Sequence, residues 1–521
     1  MFFVKRIKLK NFRRFESFDT RVDKELNVLV GDNESGKSTI LLALDLLLSG
    51  NRRRIEAISL ESLFTKDTVT SFLGSQKSYR DLPEMFVEAY LNDQDDPELN
   101  GRINSEERSF DGLRLSCTPN DDVSTDIKRI LSQEEVTFPF EYYNIDFRLF
   151  SGKPYFGYNR PIGYLSIDSS QINNEYATRE YVKDLYGSNV EGNERSRHRN
   201  EYRRFRKTFS RDVLNDVNKR IDRYEFAIRT SGKTSLETDL TISEDGIPIE
   251  DKGKGQQCFI KTEFALKKTK AKKPLQVLLL EEPENHLSHV NMRKLVRKIT
   301  ESQDKQIFIA THSNLICSRL DLRKCILLNS SSVHPTSLDS VPEGTAEFFM
   351  KAADNNILEF ILSRKVILVE GSAEYILMEE FYKNETGTSL ESSGVHVISI
   401  GGTSFKRYLD LSRLLNIKTA VVRDNDGDFQ TNCVDNYTEY SHPNIKIFAE
   451  HDNDLKTFEI CLYEANSGIC ELRFEKGRRS LTVQDYMLAN KTEAAFLLLQ
   501  KEGRHLTTPG YIQKAIEWIR D

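Results

Sequence analysis

Two groups of residues have the types and spacing to do chemistry. The first opens with Gly31-Asp32-Asn33-Glu34-Ser35-Gly36-Lys37-Ser38, the spacing G-x-x-x-x-G-K-S. An apolar run, Leu26–Val30, precedes it, and an apolar stretch, Thr39–Leu48, follows and stops at Gly50. Between a strand and a helix, such glycines let the backbone curl so that successive N–H groups face phosphate oxygens. Gly31, Asn33 and Gly36 belong to that cradle, and Thr39 sits at the positive start of the helix. Lys37 is placed to reach the β- and γ-phosphates, and Ser38 to ligate Mg²⁺. Nucleoside triphosphate binding is the expectation. Downstream, the buried-strand run Leu275–Leu280 ends in Glu281-Glu282-Pro283-Glu284-Asn285-His286-Leu287. Glu281 is suited to hold Mg²⁺ and Glu282 to orient and deprotonate the attacking water. A further apolar run, Gln306–Ala310, ends in Thr311-His312-Ser313, where His312 can bond a γ-phosphate.

The second group is acidic. Lys365–Glu370 reads as a strand running into Glu370-Gly371-Ser372-Ala373-Glu374, with a helix over Tyr375–Tyr382. Glu370 and Glu374 are four apart, so both carboxylates can face one side of the strand-to-helix junction. Val395–Ile400 is a strand closed by Gly401-Gly402, and Thr419–Val422 one closed by Arg423-Asp424-Asn425-Asp426-Gly427-Asp428. The acidic loop is not an EF-hand: Gly427 comes too early, Phe429 takes the sixth position, and a buried strand precedes it.

The elements that must position these groups alternate between strand and helix, which predicts α/β architecture with parallel sheets and sites at the strands' carboxyl ends. Residues 2–30 predict two strands around a turn, Met85–Leu91 a strand, Gln94–Glu107 a charged loop, and 171–229 charged helix. The turn-rich Val341–Glu347 sets a boundary, giving domains 1–345, with a helical or dimerisation insertion at about 171–235, and 346–521. The closing helix Tyr511–Arg520 carries Ile512, Ala515, Ile516 and Ile519 on one face, a core pattern. The 521 residues have a net charge of −6, which leaves room for a local nucleic-acid face. Seven scattered cysteines form no C-x-x-C pair, which argues against zinc and disulfides and for a reducing, cytoplasmic setting. No apolar run is long enough for a membrane span. Arg195, Arg197, Arg199, Arg203, Arg204, Arg206 and Lys207 interleave with Tyr202 and Phe205. The run fits a DNA-backbone contact or a solvated helix face partly balanced by Glu194 and Glu201. A second basic run, Lys267–Lys273, reads as a loop or helix end.

The order P-loop, Glu281-Glu282, His312 resembles the ABC-type ATPase heads of the SMC and RecF group, over roughly residues 1–345 with 100–235 poorly matched. That resemblance implies paired heads around ATP, with Gly253-Lys254-Gly255-Gln256-Gln257 as the signature loop. It departs from the family in carrying Lys254 where a serine usually stands. The acidic second half resembles a Toprim domain, and the two in one chain resemble an OLD-family endonuclease. Within that family the chain is similar to the nuclease subunit of Gabija-type anti-phage defence. The resemblance implies Glu370 and Glu374 as the first acidic pair, Asp424 and Asp426 as the Asp-x-Asp pair, and Asp428 as a further ligand. It assigns Glu459, in Thr457-Phe458-Glu459, to a later acidic position and Lys491 to the basic residue near the domain's end. Carboxylates are the hard ligands that two Mg²⁺ or Mn²⁺ ions need in phosphodiester hydrolysis, with Lys491 neutralising the pentavalent phosphate. DNA, a homo-oligomer (dimer or tetramer) and a helicase-like defence partner are implied as partners. The competing expectation is a non-nucleolytic DNA-repair ATPase whose Toprim fold only binds DNA. A topoisomerase or primase is disfavoured by the missing zinc pattern and the short chain after the acidic segment.

Overall fold

The computed structural model describes residues 2–133, 135–169, 175–220, 225–228, 236–266, 275–302, 304–329, 334–352, 356–475 and 481–521. The basic run Lys267–Lys273 lies outside the described residues. The chain forms two compact units, one of residues 1–316 with 324–337, the other of 317–323 with 338–521. Among the described residues, no helix is long and apolar enough to cross a membrane.

The first unit is built from two sheets. One has the strand order Cys325–Leu328, Leu26–Gly31, Gln306–Ala310, Val277–Glu281, Tyr164–Asp168, all parallel, with Thr336–Ser337 added antiparallel at one edge. Val277–Leu280 and Gln306–Ala310 are buried throughout, as continuous apolar runs in a parallel sheet require. The other sheet is antiparallel, in the order Phe15–Arg21, Val4–Phe12, Met85–Leu91, Phe110–Pro119, and both Asn100–Gly101 and Tyr143–Leu149 pair with the last of these. The helix Lys37–Ser49 packs against strands of both sheets. Its side chains are buried except Ser38 and, in part, Leu42.

Residues 2–30 hold three strands rather than two. The first reversal, at Arg13-Arg14, uses no glycine or proline. Asn11 and Arg13 take left-handed φ values of 52° and 49° instead, so the usual turn residues give no signal. Residues 175–220 are largely helical, as Glu175–Asn189, Gly192–Asp212 and Asn215–Asn218.

The second unit centres on a four-stranded parallel sheet, ordered Val395–Ser399, Lys365–Val369, Lys418–Val422, Ile445–Phe448. The closing helix runs Gly510–Arg520 and buries Ile512, Ala515, Ile516 and Ile519, the face that the pattern marked as core.

Asp45 is among the polar groups buried in the first unit. It lies on the buried helix and accepts from Arg54 Nη1 at 3.0 Å and from the Tyr164 hydroxyl at 3.0 Å. Replacing Asp45 with alanine removes the carboxylate from both partners, while the Tyr164 hydroxyl keeps the Asp45 backbone O at 3.1 Å. We expect Asp45→Ala to lower unfolding free energy by about 1–3 kcal/mol, the half-exposed Arg54 recovering part of its hydration. Urea midpoints of variant and wild type measure it, and equal midpoints contradict the role.

Candidate functional site

In the first unit the strand Leu26–Gly31 delivers the glycine loop to the sheet's carboxyl edge. Gly36 has φ 100°, and a Cβ there would stand 2.5 Å from the Phe15 ring, so only glycine fits. Lys37 Nζ turns back into the loop, donating to Gly31 O at 2.8 Å and Asp32 O at 2.9 Å. The loop is thereby held in its curled form from within. Ser38 is exposed, Thr39 buried in the helix's first turn, and Asn33 exposed on the loop.

Glu281 ends its strand within hydrogen-bonding reach of the Ser38 hydroxyl. Burial raises its proton affinity, the Ser38 bond opposes this, and Asp168 and Glu282 raise it further. Glu282 turns the chain with φ 46°, its N–H donating to Ala310 O at 2.8 Å. Its carboxylate lies 3.4 Å from His312 Nε2. Ser38, Glu281, Glu282 and His312 therefore meet at one edge, beside the loop. Glu284 was not singled out from sequence. Its Oε1 accepts from the Thr311 hydroxyl at 2.6 Å and from His312 N–H at 2.8 Å, clamping the segment that presents His312. Burial raises its proton affinity against those two bonds. At Gly255 a Cβ would meet His286 O at 2.1 Å, so the glycine lets the helix Lys254–Leu266 approach the loop after Glu282.

In the second unit four segments bring charge to the carboxyl edge. Glu370 follows the strand Lys365–Val369, and Glu374 lies in the first turn of the helix Ser372–Thr386. Asp424 follows Lys418–Val422, and Glu459 opens the helix Phe458–Ala465. Asp424 is pushed up to about 8, chiefly by burial and then by the charges of Glu374, Glu370 and Glu459. Glu374 is pushed up to about 7 by burial, with Glu459 and Glu370 adding to it. Glu370 is raised by burial, against the opposing Arg423 charge. These carboxylates thus feel one another, and three cationic or N–H groups partly offset them. Phe458 N–H donates to Asp424 Oδ1 at 2.7 Å, Lys491 Nζ lies 2.9 Å from Glu459 Oε2, and Arg423 Nη2 donates to Asp426 Oδ2 at 3.0 Å.

The donor set can be tested against a divalent cation. It is all hard carboxylate oxygen, and Glu370 Oε2 is buried with no hydrogen-bond partner among the described residues. Both features fit Mg²⁺ or Mn²⁺. The set is not a finished cage, however. Among the described residues, no three His, Cys, Asp or Glu side chains are gathered tightly enough to hold an ion. Asp426 and Glu459 face Arg423 and Lys491, so the side chains must turn to close on a cation. Asp428 follows in the same loop as Asp424 and Asp426. It is exposed, and it accepts from Thr431 N–H at 3.0 Å, capping the turn Gln430–Val434. Like Asp426, it would have to turn from that bond to reach a cation.

Residues 2–146 and 159–317 match the AAA ATPase domain family. The chain belongs to that family. Residues 361–426 match the TOPRIM domain of proteins like the overcoming lysogenization defect (OLD) protein. The chain is therefore an AAA ATPase with an OLD-like Toprim domain, α/β throughout. Among solved structures it is similar to the C-terminal region of the Burkholderia pseudomallei OLD protein, with 24% identity over 30% of this chain and 98% of that one, TM-score 0.21. It is similar to an SMC head bound to the C-winged helix domain of ScpA, with 16% identity over 65% and 98% of the two chains, TM-score 0.36. It is also similar to the recombination mediator protein RecF-ATPrS of the RecFOR pathway, with 10% identity over 65% and 98%, TM-score 0.33. No curated protein matches the chain.

Besides Glu284, two arginines went unassigned in the sequence. Arg13 faces Glu281 across the ATPase edge. Arg423 is buried in the Toprim edge, where it donates to Asp424 O at 2.9 Å and to Asp426. Arg423 directly precedes the Asp-x-Asp pair, and that adjacency was the available signal.

Two outcomes follow for the AAA ATPase with its Toprim domain. Glu284→Ala frees the Thr311–Ser313 segment, and we expect ATP turnover to fall about tenfold or more with nucleotide affinity changed less. Steady-state ATPase and nucleotide titration check this, and unchanged turnover contradicts it. Glu374 and Asp424 hold protons more tightly folded than unfolded, where carboxyls titrate near about 4. Their contribution to stability is therefore full below about pH 4 and is lost as pH rises to about 7 and 8. In chelator-treated protein, Asp424→Asn should be stabilising relative to wild type at pH 8, and the difference should shrink toward pH 4. Urea midpoints across pH test this, and a pH-independent difference contradicts it.

Proposed function

We propose that this chain is an ATP-regulated, metal-dependent DNA endonuclease of the OLD family. The observation that carries the reading is the convergence of Glu370, Glu374, Asp424 and Glu459, with Lys491, at the carboxyl edge of the Toprim sheet. A surface that only binds phosphate gains nothing from buried carboxylates, because they repel it. Phosphodiester hydrolysis instead needs cations held where a water attacks and a leaving oxyanion departs.

Glu370, Glu374, Asp424, Asp426 and Glu459 are the residues to hold Mg²⁺ or Mn²⁺, with Asp428 as a further ligand. Bound there, a divalent cation supplies a more acidic water and charge stabilisation at phosphate. Lys491, from the start of the helix Lys491–Glu502, sits beside the acidic group and is suited to neutralise charge building on the phosphate. Phe458 N–H and the Arg423 guanidinium keep Asp424 and Asp426 oriented. In the ATPase domain, Gly31, Asn33, Gly36, Lys37 and Thr39 make the phosphate cradle, and Ser38 and Glu281 form the metal-facing pair. Glu282 serves as the base for the attacking water, and His312 as the γ-phosphate contact, held by Glu284. The coupling of the two activities makes the ATPase a gate on the nuclease. As in the Gabija-type resemblance, we place the protein in the cytoplasm as an anti-phage effector, self-associated as a dimer or tetramer and working with a helicase-like partner.

The open arrangement of the carboxylates favours a second reading, a DNA-repair ATPase whose Toprim domain binds DNA without cutting it. Supercoiled plasmid incubated with Mg²⁺ or Mn²⁺, with and without ATP, separates the two. We expect nicking by the wild type, and a loss of about 100-fold or more in Glu370→Ala and in Asp424→Ala with nucleotide binding intact. Nicking retained in both variants overturns the metal assignment, and its absence from wild type favours the second reading. The ATP arm gives the sign of the coupling.

A further inference from the structure

The helix Gly192–Asp212 is long, strongly polar and has no buried residue. Such a helix contributes little to a core, so its faces serve other ends. One face is already spoken for. Arg195 Nε and Arg199 Nε, one turn apart, donate to Glu237 at 3.0 and 2.5 Å, and the Tyr202 hydroxyl donates to Asp239. Glu237 is buried, and that burial raises its proton affinity. Its own backbone N–H and the two guanidiniums outweigh this and hold it at about 2. That contact anchors the helix along one side.

The opposite side is sorted by charge. Arg197, Arg204 and Arg211 recur at intervals of seven residues, and Arg203 and Lys207 fall beside them one turn apart. All five are exposed. Asn193, Ser196, Asn200 and Thr208 fill the remaining positions on this face with uncharged hydrogen-bonding groups. The helix's acids are kept off it: Glu194 and Glu201 recur at seven, with Asp212 eleven further on, along one margin. Arg204 and Arg211 pair with Glu201 and Asp212 at that margin. Arg197, Arg203 and Lys207 make no ion pair among the described residues. A face that was merely solvated has no reason to exclude acids from it; charges of both signs would be interspersed.

We propose that this outer face is a docking surface for the phosphate backbone of duplex DNA. From Arg197 to Arg211 the stripe is about 21 Å long, at about 1.5 Å per residue. That length passes about six phosphates of one strand. Charge complementarity on this scale suits a regular polyanion, and asparagine, serine and threonine are the uncharged side chains that bond phosphate oxygens. The chain as a whole is acidic, at −6, so the stripe is a local feature rather than part of a general basic charge. The choice of DNA as the polyanion rests on the substrate class proposed above. The contact is independent of sequence, and it positions the duplex without taking part in cleavage.

The test is equilibrium binding of a short labelled DNA duplex to the full chain, in chelator to prevent cutting, over a series of salt concentrations. Three proteins are compared: wild type, Arg197→Gln/Arg203→Gln/Lys207→Gln, and Lys5→Gln/Lys24→Gln/Lys66→Gln. The third makes the same charge change at exposed positions elsewhere in the same unit. We expect the stripe variant to lose about tenfold or more in affinity, with the slope of log K against log salt smaller by about 2–3. The control variant should stay close to wild type. Equal losses in both variants, an unchanged stripe variant, or a wild type that fails to bind duplex each overturn the proposal. Light scattering on the same samples guards the alternative: a change in subunit number in the stripe variant assigns the face to another copy of the chain and also overturns it. Plasmid nicking is scored separately. Binding that depends on the stripe in a chain that never nicks leaves this surface standing and removes the nuclease. Nicking with an unaffected stripe variant removes this surface alone.

Discussion

Buried carboxylates that repel one another are the constraint around which the second unit is arranged. Glu370, Glu374, Asp424 and Glu459 are brought to one edge by strand ends and helix starts that are themselves fixed by apolar packing. Leu368, Val369, Val421, Val422 and Phe458 are almost wholly buried around them. The core thus holds the acids where, left to themselves, they would separate. Partial compensation comes from Lys491, Arg423 and the Phe458 N–H, each tied to a different carboxylate. The residual imbalance appears in the raised proton affinity of Asp424 and Glu374, and it is what a divalent cation is suited to remove.

The first unit solves a related problem with the opposite sign. Its parallel sheet also places chemistry at the carboxyl edge, but the glycine loop and the start of the helix Lys37–Ser49 make that edge attractive to anions. The strand order matters here. Gln306–Ala310 lies between the strand leading to the glycine loop and the strand ending in Glu281. His312 therefore emerges from the middle of the arrangement, with Ser38 on one side and Glu282 on the other. Glu284 ties the two outgoing loops together through Thr311 and the His312 N–H. The antiparallel sheet contributes indirectly. By covering the other side of Lys37–Ser49 it holds the helix start, and with it Ser38, in place.

Much of this was legible in the chain because the signals are local. A glycine spacing, a run of five apolar residues and a following carboxylate lie within a few positions of one another, and each constrains backbone and chemistry together. The parallel strands at Leu26–Gly31, Val277–Glu281, Lys365–Val369 and Lys418–Val422 announce themselves in this way. Three kinds of feature did not. Turns built on left-handed Asn11 and Arg13 carry no glycine or proline. The strands Phe110–Pro119 and Ile445–Phe448 alternate or are short, so their neighbours rather than their own composition define them. Partners across long separations, such as Lys491 with Glu459 and the Phe458 N–H with Asp424, depend on how helices close over the sheet. Asp428 shows the same limit from the other side. Its position in the acidic loop suggests a ligand, while its bond to the Thr431 N–H carries no signal in the chain.

The proposed nuclease requires the acidic edge of the Toprim sheet to close on a divalent cation. Anomalous diffraction from crystals grown with Mn²⁺ tests it most directly. We expect a manganese peak at about 2.1 Å from carboxylate oxygens of Glu370 and Asp424, with the peak lost in Asp424→Asn crystals. A well-folded protein at saturating Mn²⁺ with no peak at that edge, or with manganese bound only elsewhere, contradicts it.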